Sequence, residues 1–522
     1  MQVFRSQPRV FCLSIIFLGD CKARFIRWDR SGGIISELFD MLDTEYVTEF
    51  LWRMHHASRE DLGLDPTVTV ASEDEAKGAR TALKEWTRIP KNHGFMTPPR
   101  ENAQMWKVQV FEDRKRPFVE NENADDSASE SGGCELKDEK PSTPRTFITT
   151  RHQFCSDSLT GRATSGYYGV ELLEPGPNGR NFGKPVFFKD SWRIAEEGIE
   201  KEGDTYDALW RAGVKNISPV TCAGDVWSGD QKQTTRTPDF ATQTKEHPWI
   251  CGPTTVPTPQ GDPVTKIIHH VHYRIVLSYI GKPITSFDST WDLCNAIHCA
   301  IIAHRLALEI AKYLHRDISC GNILFTPWGP ILIVWDLSRN TLSELWARRT
   351  WRTGTWQFMS AALLLRRRKN QQPRDDFESF LWALLYNVLR YRPTSVKGPD
   401  LQVLIYDTFD EVSPGKKGGK GKLHFFDARN FEYTDVENSN LPIPLKNILE
   451  DLRALFKPLY FAAPLHRLSS TERDLLNKAN ELTSNSEAIE KIFEDNLALP
   501  GWFSNDKAED QLPQANRLPL TD

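Results

Sequence analysis

The alternation of apolar and polar positions divides the chain into strand-like and helix-like stretches. From Val10 to Leu18 the run "VFCLSIIFL" is almost wholly apolar, and its β-branched and aromatic content predicts a buried strand. Arg5 and Arg9 ahead of it imitate a secretory signal, but the strand is the reading that the composition favours. A second run, "KARFIRWDRSGGIISELFD", predicts another strand and a turn at Gly32 and Gly33, and "DTEYVTEFLWRMHHA" then predicts a helix. Farther on, "KPVFFKDSW" and "HHVHYRIVLSYIG" are strand-like, whereas "WDLCNAIHCAIIAHRLALEIAKYL" repeats Leu293, Ile297, Ile301, Leu308 and Ile310 at helical spacing. "NILF" and "GPILIVWDLS" predict two short strands around a turn at Pro327, Trp328 and Gly329. Strands come first and helices after, the order of an α+β protein with a sheet-rich part preceding a helical one. A strand so close to Met1 also predicts that the chain starts inside a larger N-terminal domain.

A chain of 522 residues exceeds one hydrophobic core and predicts roughly three units. From Glu120 to Arg145 the acidic, Ser-rich "ENENADDSASESGGCELKDEKPSTPR" cannot offset its ordering entropy by burial, which predicts a disordered linker. A second polar insertion is expected at 223–262. The basic "SPGKKGGKGK" at 413–422 lacks the spacing of a phosphate loop and is expected to be a flexible surface loop. Beyond about 465 the tail is helix-permissive, then polar, with "SNDKAEDQLPQANRLPLTD" expected to fray.

Charge and cysteine usage narrow the partners. Lys and Arg number 65 against 70 Asp and Glu, so the net charge of −5 provides no field that calls for nucleic acid or an anionic membrane. The 16 tryptophans lack basic interleaving, and no apolar run approaches the ~20 residues that span a bilayer. The nine cysteines are widely spaced without a Cys-x-x-Cys pair, which predicts a reducing, intracellular location, cytoplasmic or nuclear. In "HHVH", strand alternation puts His270 and His272 on one face and His269 on the other, with no cluster to complete a zinc site.

The densest chemistry lies in "LHRDISCGNILF", Leu314 to Phe325. His315, Arg316, Asp317 and Asn322 follow the long helix and precede the strand pair, with Asp336 fourteen positions after Asn322 at the expected end of the second strand. Phosphoryl transfer from a metal-bound nucleotide needs one carboxylate to orient the attacking hydroxyl, and an amide and a second carboxylate to hold the metal. Such hard oxygen donors suit Mg²⁺.

Taken in order, "RWDRSGGIISELFD", "FFKDSWR", "HRDISCGNILF", "GTWQFMSAALL" and "RDDFESFLWALLY" resemble the fungal-type protein kinases of the protein kinase-like superfamily, over roughly residues 10–465. The resemblance implies a bilobal fold with a small β-rich N-lobe, a larger helical C-lobe and an additional N-terminal α+β region. The expected boundaries are 1–119 for that region, 120–150 for the linker, 151–285 and 286–465 for the lobes, and 466–522 for the tail. It implies ATP and Mg²⁺ as cofactors, with Lys189 gripping the nucleotide phosphates and Glu202, in competition with Glu200, positioning that lysine. Gly161 and Gly166 in "GRATSGYYGV" would form the phosphate cover, although Ala163 stands at the middle glycine. Asp317 would be the catalytic base, Arg316 and Asn322 its neighbours in the catalytic loop, and Asn322 and Asp336 the metal ligands.

The resemblance extends to the flanking segments, with departures. Asp-Phe-Gly becomes Asp336-Leu337-Ser338, and Ser319 stands where many serine/threonine kinases have a lysine near the γ-phosphate. Thr355 matches a threonine that bridges to the catalytic aspartate, while Phe358-Met359-Ser360 replaces Ala-Pro-Glu. Asp376 would support the catalytic loop, with Ser379 at its expected spacing and Asp375 as an N-cap or a surface charge. Arg316 would bind a phosphorylated Thr350 or Thr353. The implied activity is ATP-dependent transfer to Ser or Thr of protein substrates, with no nucleic acid or membrane partner and the oligomeric state open. Ser319, Ala163 and Ser338 motivate an alternative pseudokinase scaffold, and "VWDLS" motivates a small-molecule kinase of the aminoglycoside or choline type.

Overall fold

The computed structural model describes residues 3–4, 7–19, 21–113, 143–156, 158–176, 179–196, 199–241, 256–257, 263–264, 267–342, 354–366, 369–393, 396–413, 417–427, 441–460 and 468–512. The predicted linker falls almost wholly outside them, as do Thr350 and Thr353. The fold is α+β and divides into two compact units, Met1–Asp204 with Pro219–Ile280, and Thr205–Ser218 with Gly281–Asp522.

The first unit opens with an antiparallel meander, Cys12–Leu18, Lys22–Asp29 and Gly32–Ile35. The first strand is not the buried one expected. Among the described residues it pairs only with Lys22–Asp29, an edge position, and Ile16, Phe17 and Leu18 are exposed. Gly32 and Gly33 begin the third strand instead of forming the turn, which lies at Arg30 and Ser31. Glycine suits position 33 because a Cβ there would come within 3.0 Å of the Trp28 ring. The predicted helix forms as Tyr46–His56 and lays Phe50 on Phe25 at 4.6 Å between centroids.

A larger antiparallel sheet follows, in the spatial order Val220–Asp225, His270–Leu277, Gly179–Ile194, Ser165–Gly176, Arg145–Thr149, Trp106–Val110, Val68–Val70. Strands from the expected N-terminal region thus share one sheet with strands from the expected N-lobe, so no boundary between units falls near residue 120 or 150. Helix Glu73–Arg88 starts with a Ser72–Glu75 capping box and packs Ala76, Ala79, Leu83 and Trp86 against Met105, Ile148 and Val170.

Buried charges join distant strands. Arg274, 1% exposed, donates to Asp65 Oδ2 at 2.6 Å, Asp190 Oδ2 at 2.9 Å, Thr67 Oγ1 at 2.7 Å and the Gln109 carbonyl at 2.8 Å. His272 bridges Asp190 Oδ1 at 2.8 Å and Gln233 Oε1 at 2.6 Å and stacks on Trp192. Burial disfavours ionisation of Asp65 and Asp190, yet Arg274 and His272 hold both carboxyls below their ordinary range. The polar stretch expected as an insertion from residue 223 is in fact built into this unit up to 241: Asp225, Gln233, Thr235 and Thr237 are buried. Asp29 explains part of it, accepting from the Arg236 and Thr237 amides at 2.8 and 3.0 Å and from Thr237 Oγ1 at 2.8 Å.

His270 lies on the same seam, with Nδ1 3.0 Å from Ser31 Oγ and 3.1 Å from the Ile268 carbonyl. Burial lowers its pKa from 6.5 to about 4. Between those values the unfolded chain binds the proton and the folded one does not, so stability is full above pH 6.5 and falls as the pH drops towards 4. The expected loss reaches about 3 kcal/mol. Urea midpoints at pH 7 and 4 should show it, and a His270→Gln chain should lose less over the same interval.

In the second unit a hairpin, Ile323–Thr326 with Gly329–Leu332, carries Lys282–Pro283 on its edge. Helix Thr290–Glu309 begins with a Ser289–Asp292 capping box and buries Leu293, Ile297 and Ile301, as the spacing predicts. It stops at Glu309, which leaves Ile310 exposed. Helix Pro373–Tyr391 is buried over most of its length and forms the centre of the unit. The tail does not fray up to residue 512: Glu490 pairs with Arg305 at 2.6 Å, Asp506 caps Thr290 at 2.6 Å, and Asp510 pairs with Arg390. Its polar residues are partners of helix ends and arginines. The Gly-Lys run also departs from expectation, since it opens helix Lys420–Asp427 and buries Lys422 completely. Among the described residues no helix is long and apolar enough to cross a membrane.

Candidate active site

The His315–Asn322 loop is buried and over-determined by hydrogen bonds. Arg316 has a left-handed backbone, φ +71°, unusual for a residue other than glycine. Asp376, on the central helix, holds it there: Oδ2 accepts the Arg316 amide at 2.8 Å, while Gln371 Nε2 donates to both Asp376 Oδ1 at 2.8 Å and the Arg316 carbonyl at 3.1 Å. His304 Nε2 lies 3.0 Å from Asp376 Oδ2. Burial raises the cost of ionising Asp376, but the His304 contact and the Arg316 amide bring its pKa below the ordinary value. His315 accepts the Asp317 amide on Nδ1 at 3.2 Å and donates from Nε2 to the Ile333 carbonyl at 3.0 Å. That geometry needs the neutral ring, which burial favours by lowering its pKa.

Asp317 receives two bonds from one residue. The Thr355 amide and Thr355 Oγ1 both donate to Oδ1, each at 2.8 Å, and among the described residues Oδ2 accepts no hydrogen bond. Gly354 makes this approach possible: its φ is +110°, and a Cβ would meet the Arg316 carbonyl oxygen at 2.7 Å. Asn322 Nδ2 donates to the Asp317 carbonyl at 2.7 Å, which leaves its Oδ1 as the amide's acceptor. The Asn322 carbonyl accepts the Ile333 amide at 2.9 Å, tying this loop to the segment that leads to Asp336. The second strand ends at Leu332, earlier than expected, and Asp336 stands on the turn beyond it, two residues after Val334 with φ +67°. Ser338 closes that turn, with its amide and Oγ donating to the Trp335 carbonyl at 3.1 and 2.6 Å. Arg316 Nη1 reaches the Leu337 carbonyl at 3.5 Å. Ser319 is buried, and its carbonyl accepts the Asn322 amide at 3.1 Å.

In the first unit, Lys189 Nζ donates to Glu202 Oε2 at 2.8 Å, and both side chains are buried. Lys189 faces Ile275 and Gly166 across its two neighbouring strands, and Glu202 is the first residue of helix Glu202–Arg211, so the pair belongs to Glu202 and not to Glu200. The two glycines proposed as a phosphate cover are otherwise engaged. The Gly161 amide donates to the Arg30 carbonyl at 2.7 Å. Gly166 is a strand residue where a Cβ would fall 2.2 Å from Phe154 and 2.6 Å from Phe187, two rings stacked over it, so packing explains this glycine.

Of the remaining candidates, Asp375 is neither a surface charge nor the N-cap, which is Gln372; it is the third helical residue of that capping box. It is buried and accepts the Gln372 amide at 2.7 Å and Ser360 Oγ at 2.6 Å, while Ser379 Oγ donates to its carbonyl at 2.8 Å. Sequence reasoning missed His304 and Gln371, which support Asp376; His304 sits on the apolar helix face and carries no local signal. Among the described residues no group of three or more His, Cys, Asp or Glu could hold a metal ion. A Mg²⁺ site needs fewer protein donors, and Asn322 with its nitrogen already bound, together with the Asp336 carboxylate, fits that chemistry.

A shielded carboxylate fixed by a downstream threonine, next to an oriented amide, points to a protein kinase-like phosphotransferase. The comparison with known families agrees: the model of the fungal protein kinase family matches residues 1–104 and 122–388, most of the chain, and the chain belongs to that family. No curated protein matches it significantly.

Proposed function

We propose that the chain is an ATP-dependent protein kinase that phosphorylates Ser or Thr hydroxyls of protein substrates. The observation that carries this reading is the pair of hydrogen bonds that the Thr355 amide and hydroxyl donate to Asp317 Oδ1, which fixes the carboxylate and leaves Oδ2 for an acceptor hydroxyl. Asp317 Oδ2 orients that hydroxyl and takes its proton. Bound ATP would supply the phosphoryl group, and Mg²⁺ held by Asn322 Oδ1 and Asp336 would neutralise its charge. Lys189, held by Glu202, grips the nucleotide phosphates, while Arg316 and Asp376 keep the loop in shape.

The test is transfer of labelled γ-phosphate from MgATP to generic protein substrates, with thermal unfolding in parallel. Label on Ser or Thr is expected, together with stabilisation of ~2.7 kcal/mol at 100 times Kd. Absence of both would sink the proposal, and transfer to aminoglycosides or choline but not to protein would overturn the substrate class. Ser319, buried and uncharged where a cation would assist transfer, favours a second reading as a nucleotide-binding scaffold. A thermal shift without any transfer would select it.

A further inference from the structure

The segment that follows Thr355 is gripped by a cation that the Gly-Lys run delivers. Lys422 Nζ donates to the Gln357 carbonyl at 2.7 Å and the Met359 carbonyl at 2.6 Å. It is 0% exposed and lies 4.8 Å from the centre of the Trp382 ring and 5.8 Å from that of Phe409. Trp382 Nε1 in turn donates to Glu378 Oε1 at 2.9 Å, and the same oxygen accepts the Ala361 amide at 2.8 Å. Tyr460 donates its hydroxyl to Glu378 Oε2. Two buried charges from separate helices therefore hold backbone groups on either side of Ser360.

The glycines explain how the lysine gets there. A Cβ at Gly418 would meet the Glu411 carbonyl oxygen at 2.6 Å and the Trp356 ring at 2.7 Å, and one at Gly421 would meet the Asp407 carbonyl oxygen at 2.4 Å. Glycine is needed at 418 and 421 because the backbone there lies against Trp356, Glu411 and Asp407, not because the stretch is a solvated loop. The path to the catalytic loop is short: the Thr355 carbonyl accepts the Phe358 amide at 3.0 Å and the Trp356 carbonyl accepts the Met359 amide at 3.3 Å, so one 3₁₀ turn joins Thr355 to the carbonyls that Lys422 binds.

Burying an ammonium is costly, and here burial lowers the Lys422 pKa to about 7, opposed by Glu378 and Asp410. An apolar side chain of the same length would avoid that cost but would leave two convergent carbonyls without a donor. We propose that Lys422 and Glu378 are positioning residues for phosphotransfer, holding residues 357–361 so that Thr355 stays against Asp317. This rests on the phosphotransfer reading, but part of its test does not.

The experiment compares the full chain with Lys422→Met and with Glu378→Gln, which keeps its volume. Three quantities are read: kcat, KM for MgATP, and amide hydrogen exchange over residues 355–364. Lys422→Met is expected to lower kcat by about 10- to 100-fold with KM for MgATP within about twofold, since only the positioning of the loop is disturbed. Exchange over residues 355–364 should quicken by roughly tenfold while the rest of the second unit is unchanged. Glu378→Gln should move both in the same direction by less, and it carries the test if Lys422→Met does not fold. Wild-type kcat and exchange in the variants overturn the proposal, as does slower transfer with exchange unchanged. If the wild-type chain transfers nothing, the kinase reading fails, and exchange alone still decides whether Lys422 holds the segment.

Discussion

Replacing Asp317 by asparagine is expected to lower phosphate transfer by about 10²- to 10⁴-fold while leaving the fold intact. The amide can keep its oxygen facing the Thr355 amide and hydroxyl, which donate at 2.8 Å, and the Asn322 bond goes to the Asp317 backbone, which the substitution does not touch. What disappears is the carboxylate oxygen that would accept the proton in the proposed reaction. The cost in stability should therefore stay under ~1 kcal/mol, typical of a near-isosteric change that preserves its hydrogen bonds. Single-turnover transfer and a urea midpoint on the same sample check the two halves. An unchanged rate would remove Asp317 from the chemistry, and a collapsed midpoint would mean that the loop and not the proton is at stake.

Lys189→Met should have the opposite balance. It takes the ammonium from beside a buried carboxylate that it meets at 2.8 Å, and breaking such a pair costs about 3–5 kcal/mol because the remaining charge stays buried. Loss of nucleotide affinity should accompany it. Pairing the change with Glu202→Leu should restore most of the stability, since two apolar groups can replace a buried ion pair at little cost, but should not restore MgATP binding. A double-mutant cycle of urea midpoints with a thermal shift for MgATP separates the two effects. Equal midpoints for wild type and Lys189→Met would show that the pair contributes nothing to stability.

The contacts of the candidate site that were legible in the sequence are those whose partners lie close along the chain. Asp317 and Asn322 are five residues apart on one loop, and Lys189 and Glu202 stand on a strand and the start of the next helix. Thr355 and Asp376 were reachable through the family resemblance, because nothing local distinguishes them from other polar residues. What stayed hidden depends on neighbours far away in sequence. Lys422 has the composition of a solvated loop around it, and only the carbonyls of Gln357 and Met359, more than sixty positions earlier, make it a buried residue. Asp225, Thr235 and Thr237 looked like insertion for the same reason, Thr235 and Thr237 being satisfied by Ser31 and Asp29 some two hundred residues upstream. Gly161 and Gly166 have local reasons that their pattern in the sequence does not reveal: Gly161 has a φ of +85° with its amide bound to the Arg30 carbonyl, and Gly166 leaves room for two phenylalanines. The Cys12–Leu18 strand was misjudged because apolar content says nothing about whether a strand is paired on one side or two.

Arg274 has a consequence for how chains of this kind can be recombined. Its guanidinium draws on Asp65, Thr67 and Gln109 from one part of the chain and on Asp190 from another, across a sheet to which both contribute strands. A crossover between two relatives at residue 143 would bring together halves selected apart, and loss of the Asp65 or the Asp190 carboxylate would leave the buried Arg274 cation with only one of its two ion-pair partners. Exchanging the first 142 residues between relatives should therefore succeed only where Asp65 is matched by an arginine at position 274.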